Sequence, residues 1–357
     1  MKNICFFNSN KVWGGGEKWH HDASLFFQNR GYRVLVITNY HSELFANLSN
    51  QKEIQLKRLR ISRLSFLNIL KIISIANILK ENKIDTIILN LPSDVKVAGI
   101  AARIAGVKKI IYRRGLAVPV KNSPLNRFLF QQVISGIIAN SEEIKRTILF
   151  NNPHLIDSSK IQVIYNGVDL HDCPIQPPVG KKNEPVILGN AGRLVEQKGQ
   201  RYLIEVAQIL QNKGVRFKLL IAGKGKLEQE LKDYAEELGV KDNIDFLGFV
   251  QNTASFMNSI DIFLLSSLHE GSSNVVIEAM AYQKPVIAFN LSSNPEMIIH
   301  NETGYLVDFP DVADFAQKTI SLIEDCMLRE RFGKQGRKVV EENFNKEKNL
   351  EKLIRFI

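Results

Sequence analysis

Ile262-Phe263-Leu264-Leu265-Ser266-Ser267-Leu268-His269-Glu270-Gly271-Ser272-Ser273-Asn274-Val275-Val276-Ile277-Glu278-Ala279-Met280-Ala281 runs from an apolar tetrad through a polar loop into a second apolar segment. Residues 262–265 read as a strand buried on both faces, and 275–282 as the start of a helix. Glu270 then closes the strand side of the loop, and Glu278 stands about one turn into the helix. Between them, the backbone N–H groups and positive end of the helix offer a seat for phosphate or sugar oxygens. Taken singly, either glutamate reads as a solvated residue. A glycine, two serines and an asparagine clustered at the carboxyl end of a strand favour a ligand site, because open α/β sheets bind there. Acceptor-only carboxylates beside an anion seat suit a ligand that is both phosphorylated and rich in hydroxyls, as a nucleotide sugar is.

The same alternation of apolar runs and helix-length segments extends in both directions, the pattern of doubly wound parallel sheets. Strands are expected at 4–7, 34–37, 54–59, 86–89, 109–112, 136–139 and 161–165, then at 186–190, 217–222, 244–247, 262–265, 286–289 and 305–307. Helical spacing marks 201–213 and 226–238. Between the two series, residues 173–185 hold four prolines in thirteen positions, too many for a helix or central strand. The expected fold is therefore α/β, with two Rossmann-like doubly wound domains facing a cleft. The first spans 1–172 and the second 186–343, with 173–185 as linker.

The length of 357 residues suits two domains, each with its own core, and 45% hydrophobic with 24% charged residues is ordinary for a soluble protein. Cys5, Cys173 and Cys326 have neither disulfide-framework nor metal-site spacing, which points to a reducing compartment. The first ten residues read as a strand rather than a signal peptide, and no apolar run is long enough to span a bilayer. A cytoplasmic protein is expected. Charge is uneven: residues 1–175 hold 24 Lys/Arg against 12 Asp/Glu, net +12, whereas 176–357 hold 23 against 25, net −2. An anionic partner for the first half follows, and an inner membrane surface is one such partner. Residues 57–83 are basic and then apolar. We read the apolar part as a helix covering the sheet and leave membrane contact to Lys57, Arg58, Arg60 and Arg63. Nucleic acid is not expected, since basic stretches are not interleaved with aromatics.

Three further segments have the character of phosphate-handling loops. Gly14-Gly15-Gly16-Glu17 follows the first strand, where glycines let the backbone approach an oxyanion. Gly192-Arg193-Leu194-Val195-Glu196-Gln197-Lys198-Gly199 follows the first strand of the second half. Its guanidinium and ammonium suit a diphosphate leaving group, on which negative charge builds. Ala222-Gly223-Lys224-Gly225-Lys226 opens another helix and borders the same region.

Together, Glu270-x7-Glu278, Gly192-Arg193-Leu194-x3-Lys198-Gly199, Asn166-Gly167-Val168-Asp169 and Gly14-Gly15-Gly16-Glu17 resemble the retaining GT-B glycosyltransferases of family 4. Asn140-Ser141-Glu142 and Pro295-Glu296…Thr303-Gly304 are also similar. The resemblance covers essentially the whole chain and implies a nucleotide diphosphate sugar donor held mainly by the second domain. It implies that Arg193 and Lys198 clamp the diphosphate, Glu270 binds the donor sugar and Glu278 the ribose. Backbone groups of Gly271, Ser272, Ser273, Asn274 and Val275 would hold sugar and phosphate oxygens, with the base near Val250. Gly15 and Gly16 would close over the donor, and a final helix in 344–357 would return to the first domain. Neither a metal nor another cofactor is implied, the cations taking the place of a divalent ion.

Many relatives carry a histidine near the acceptor. Here the corresponding stretches are Leu89-Asn90-Leu91-Pro92-Ser93-Asp94 and Tyr112-Arg113-Arg114-Gly115, leaving Asn90, Asp94, Arg113 and Arg114 as acceptor-side candidates. The expected reaction is transfer of a hexose-type sugar, with retention, to a glycan or lipid-linked hydroxyl in lipopolysaccharide, capsule or related synthesis. A nucleotide-sugar 2-epimerase and a catalytically silent nucleotide-sugar-binding subunit are the alternatives.

Overall fold

A computed structural model describes residues 2–62, 64–175 and 184–357. Arg63 and most of the proline-rich segment, 176–183, lie outside the described residues. The chain divides into two compact units, residues 1–166 with 350–357, and residues 167–349.

The first unit is built on seven parallel strands: β1 (Asn3–Asn8), β2 (Arg33–Asn39), β3 (Gln55–Leu59), β4 (Thr86–Leu89), β5 (Lys109–Arg114), β6 (Gly136–Ala139) and β7 (Ile161–Val163), in the order β3-β2-β1-β4-β5-β6-β7. The second has six: β8 (Val186–Ala191), β9 (Phe217–Ala222), β10 (Ile244–Gly248), β11 (Ile262–Leu265), β12 (Val286–Phe289) and β13 (Gly304–Val307), in the order β10-β9-β8-β11-β12-β13. Each sheet is thus wound outward in both directions from its first strand, and the winding reverses between β1 and β4 and between β8 and β11. Loops leaving the carboxyl ends of such a strand pair splay apart and leave a crevice.

All thirteen expected strands are present, because strands covered by helices on both faces are written as continuous apolar runs. The ends differ where pairing partners run out. The segment expected over 161–165 stops at Val163, where β6, its sole neighbour in the sheet, also ends. The one expected over 54–59 begins at Gln55, since the Ile54 N–H is turned back to the Gln51 carbonyl.

The unit boundary at 166/167 falls earlier than the expected 172. Val168 N–H donates to the Phe344 carbonyl at 3.0 Å, and Lys346 N–H to the Val168 carbonyl at 3.1 Å. Lys346 Nζ also lies 3.6 Å from Asp169 Oδ2, so Val168 and Asp169 serve packing within the second unit. Nor is the start of the expected linker loose. Cys173 is buried, its carbonyl accepts from Arg337, and the Asp172 carbonyl accepts from Tyr282 Oη at 2.9 Å. The closing helix Lys346–Phe356 carries Leu350, Leu353 and Ile357 into the core of the first unit beside Ile4, Ile111 and Ile138. No helix among the described residues is long and apolar enough to cross a membrane.

Candidate active site

In the second unit, the loops after β8 and β11 flank the reversal of winding and bring Lys198 to Glu270. Lys198 closes a short 3-10 turn, Glu196–Lys198, and the chain then takes a left-handed conformation at Gly199, φ +61. A Cβ there would stand 2.4 Å from the Ser266 carbonyl, so glycine is what lets the β8 loop lie against the β11 exit. Ser266 Oγ donates to the Lys198 carbonyl, and Leu268 N–H to the Gln197 carbonyl, binding the two loops together. Lys198 Nζ lies 2.6 Å from Glu270 Oε1, with both side chains largely shielded from solvent. Removing either partner of a pair this sheltered is costly, because it strands the other charge.

Glu270 is cradled from a third loop. Ser292 Oγ donates to the Glu270 carbonyl at 2.6 Å and lies 3.2 Å from its N–H, and Ser293 Oγ also donates to that carbonyl. Ser292 holds φ +55, a conformation serine rarely adopts. Such local strain is kept where surrounding structure over-determines it, commonly at functional sites.

The shielded hydroxyls of Ser272 and Ser273 have no hydrogen-bond partner among the described residues. Ser273 stands at the start of the helix Asn274–Ala281 without capping it. Buried hydroxyls are normally satisfied, so these two are available to hydrogen-bond a water or a ligand oxygen. Glu278 is the fifth residue of this helix and half-buried. Its charge contributes, after burial, to the raised pKa of the neighbouring Cys173 thiol and to that of Tyr282, pushed up to about 12.

Arg193 is exposed, and Gln200 Nε2 fixes its carbonyl at 3.1 Å. Its loop is zipped to the β9 exit: Gly192 N–H donates to the Ala222 carbonyl and Leu194 N–H to that of Lys224. Gly223, φ +144, passes so close that a Cβ would fall 1.8 Å from the Gly192 carbonyl oxygen. Gly223→Ala should cost about 2–4 kcal/mol of stability through strain and overpacking. An urea midpoint equal to wild type would show that the loops are not in this contact. Gly223 N–H continues the series to the Gly248 carbonyl at 2.7 Å, leading to Phe249, which is exposed, and Val250, half-buried.

In the first unit the β1 and β4 exits gather a buried polar cluster. Glu17, inside the helix Gly15–Asn29, accepts from Asn8 Nδ2 and Asn90 Nδ2, each at 3.1 Å. Gly16 packs directly on the Asn90 amide. Arg113 and Arg114 are consecutive on β5 and so face opposite sides of the sheet. Arg113 faces Glu17: it lies over the Trp19 ring at 5.3 Å and donates to Asn166 Oδ1 at 3.1 Å. Burial lowers its pKa to about 10, against the favourable charge of Glu17. Arg114 bonds Tyr112 Oη and the Val118 carbonyl, a bracing role on the other face. His20 is fully buried, edge-on to Phe6 and Trp19, and burial holds its pKa well below the ordinary value, so the ring is neutral.

Asp94 is fully buried, with Oδ2 accepting from the N–H groups of Leu91 (3.0 Å) and Ser9 (3.3 Å). Burial outweighs these bonds and pushes its pKa from 3.8 up to about 7. A carboxyl whose folded pKa is raised contributes stability that is complete below its unfolded pKa and lost as pH climbs through the folded one. Relative to Asp94→Asn, wild-type melting temperature should therefore fall between pH 4 and 7 and level off above. Parallel melts across that range decide it. A constant offset would mean Asp94 is ionised throughout.

Two matches divide the chain at nearly the same point as the structure. Residues 13–172 match the family described as Glycosyltransferase Family 4, and residues 174–339 that described as Glycosyl transferases group 1. The chain belongs to the group 1, family 4 glycosyltransferases. Among its relatives is the Capsular polysaccharide biosynthesis glycosyltransferase CapM of Staphylococcus aureus, 33% identical over 59% of this chain and 58% of that protein. Another is the UDP-Gal:alpha-D-GlcNAc-diphosphoundecaprenol alpha-1,3-galactosyltransferase of Escherichia coli, 25% identical over 79% of this chain and 77% of that one. The chain matches about half the length of the first curated relatives, 58% and 43%. Anabaena HepE, solved with UDP and glucose, superposes with a TM-score of 0.84 at 21% identity, covering 99% of each chain, which shows a shared GT-B fold.

Of the residues expected to serve the donor, Lys198, Glu270, Ser272 and Ser273 gather at one end of the second sheet, with Arg193 and Glu278 on the adjoining loop and helix. Sequence reasoning missed the Lys198–Glu270 pair and the Ser292/Ser293 cradle. It quoted Glu17 without giving it a role, although a carboxylate just inside a glycine-rich turn was a readable signal.

Proposed function

We propose that this glycosyltransferase moves a hexose-type sugar from a nucleotide diphosphate sugar to a hydroxyl of a glycan or lipid-linked acceptor, with retention at the anomeric carbon. The observation that carries it is the shielded Lys198–Glu270 pair beside the unsatisfied Ser272 and Ser273 hydroxyls, at the reversal of the second sheet. Fixed donors of this kind stabilise charge that develops during reaction without having to reorganise.

In this reading Ser272 and Ser273 donate to donor oxygens. Arg193 and Lys198 meet the diphosphate, Glu270 holds the sugar ring while fixing the Lys198 ammonium, and Glu278 accepts from the ribose. The bond from anomeric carbon to diphosphate oxygen breaks, and the acceptor oxygen bonds to that carbon on the same face. The acceptor proton passes to the departing phosphate oxygen, so a nucleoside diphosphate and the glycoside leave. Asn90 and Arg113 are proposed to border the acceptor, with Asp94 behind them holding the Leu91 and Ser9 amides. The two cations serve where other enzymes use a divalent ion, so a chelator should leave the rate unchanged.

The names of the relatives favour a cell-surface glycan: one is named for capsular polysaccharide, another for transfer from UDP-Gal to a diphosphoundecaprenol-linked sugar. A donor of that kind supports a reaction in the cytoplasm. The test is proton NMR of the donor with and without acceptor. The reading requires consumption only with acceptor and a product bearing the donor's anomeric configuration. An inverted product contradicts retention, and a changed sugar in donor alone identifies an epimerase.

A further inference from the structure

The helix Ile69–Glu81 covers the first sheet with Ile72, Ile75, Ala76, Ile78 and Leu79, which are buried as a covering helix requires. Its other face is not uniformly polar. Ser74, Asn77 and Lys80 are exposed along the later turns, as solvent would dictate, but the first turn and a half presents Ile69, Leu70 and Ile73 instead. Leu64 and Leu67, in the turn leading into the helix, extend the same feature. Relative exposures are 67% for Leu64, 66% for Leu67, 70% for Ile69, 80% for Leu70 and 45% for Ile73. Scattered exposed aliphatics need no explanation, but five within ten residues do.

Charge marks the surroundings. Between Glu53 and Glu81 the chain has no acidic residue and six basic ones: Lys57, Arg58, Arg60, Arg63, Lys71 and Lys80. Lys57 and Arg58 are exposed on the edge strand β3, and Arg58 and Arg60 lie over the Tyr40 ring at 5.6 and 5.5 Å. Lys71 Nζ donates to the Arg60 carbonyl at 2.7 Å and to Ser65 Oγ at 3.3 Å, joining the basic strand end to the start of the helix. Lys96 stacks on Phe66 within the same turn at 5.3 Å. Cations alone would serve as guards of an edge strand, but that role does not account for the aliphatic tip.

We propose that this corner of the first domain docks on an anionic lipid bilayer, with Leu64, Leu67, Ile69, Leu70 and Ile73 entering the acyl boundary and the flanking cations meeting the headgroups. Exposed aliphatic side chains in a stretch whose only charges are lysine and arginine combine the two attractions of interfacial segments. A soluble anionic partner would use the charges and leave the aliphatics in water. The inference does not depend on which donor the second domain binds.

Flotation with vesicles of equal parts phosphatidylcholine and phosphatidylglycerol tests it. Wild type should float, and lose binding as salt screens the headgroups. The triple variant Leu67→Ser, Ile69→Ser, Leu70→Ser should bind roughly tenfold more weakly or worse, since tenfold needs only about 1.4 kcal/mol. Its melting temperature and nucleotide-sugar binding should stay at wild-type values. Lys57→Gln, Arg58→Gln, Arg60→Gln should also bind weakly, with a shallower salt dependence. In an otherwise wild-type chain, Leu70→Trp should show blue-shifted emission on adding these vesicles. Wild type left in the soluble fraction, equal flotation of the serine variant, or equal binding to pure phosphatidylcholine would each overturn the proposal. So would sedimentation showing a wild-type dimer that the serine variant dissolves, which would assign the patch to a second copy.

Discussion

Lys198→Ala is expected to lower turnover by roughly 10²-fold or more, because a fixed cation opposite a developing diphosphate charge acts mainly on the transition state. The structure adds a second expectation. Lys198 is the partner of the shielded Glu270 carboxylate at 2.6 Å, so its removal strands a charge and should cost about 1–3 kcal/mol of stability. Arg193→Ala should show the first effect without the second, since Arg193 is exposed. The double variant Lys198→Ala, Glu270→Gln should recover most of the lost stability while staying inactive, as coupled neighbours do. Steady-state rates and thermal melts on wild type, these three variants and Glu270→Gln alone separate these outcomes. Wild-type turnover in Lys198→Ala would remove the clamp from the mechanism, and additive melting shifts would remove the pair.

Glu278→Gln and Glu270→Gln should differ in what they lose. Glu278 sits on the helix Asn274–Ala281, to which the proposal assigns the ribose, and Glu270 sits in the preceding loop against Lys198. Losing a charged acceptor costs about 1.5–3 kcal/mol, or about 10–100-fold in affinity. Glu278→Gln should lose that factor for the free nucleoside diphosphate and the nucleotide sugar alike. Glu270→Gln should keep the free nucleotide near wild-type affinity and lose the increment due to the sugar. Calorimetric titration with each ligand checks it, and equal losses of free nucleotide in both variants would contradict the division.

Much of the fold was legible because parallel strands buried on both faces leave unbroken apolar runs that glycine and polar loops punctuate. The strand, loop and helix carrying residues 262–265, Glu270 and Glu278 were legible because the three are contiguous there. Lys198 and Glu270 were legible singly, but their pairing was not. They are 72 residues apart and meet because β8 and β11 are neighbours, a fact of strand order that no local pattern carries. Arg113 and Arg114 could not be told apart for a related reason: alternation assigns them to opposite faces, but the phase depends on what packs against β5. The helix Ile69–Glu81 misled in the other direction. Its apolar residues all looked like core, whereas Ile69, Leu70 and Ile73 are exposed in its first turns even though Ile72 between them is buried.

The central claim is that the second domain is a nucleotide-sugar site built on the reversal between β8 and β11. Titrating UDP-, GDP- and ADP-sugars while following thermal stability tests it most directly, because a ligand at many times its Kd stabilises by RT ln(1+[L]/Kd), about 2.7 kcal/mol at a hundredfold excess. One nucleotide series should raise the melting temperature of wild type and raise that of Glu278→Gln much less at the same concentration, about 0.4–1.4 kcal/mol of stabilisation for a 10–100-fold weaker Kd. No stabilisation of wild type by any nucleotide sugar, or equal stabilisation of the variant, would contradict the account.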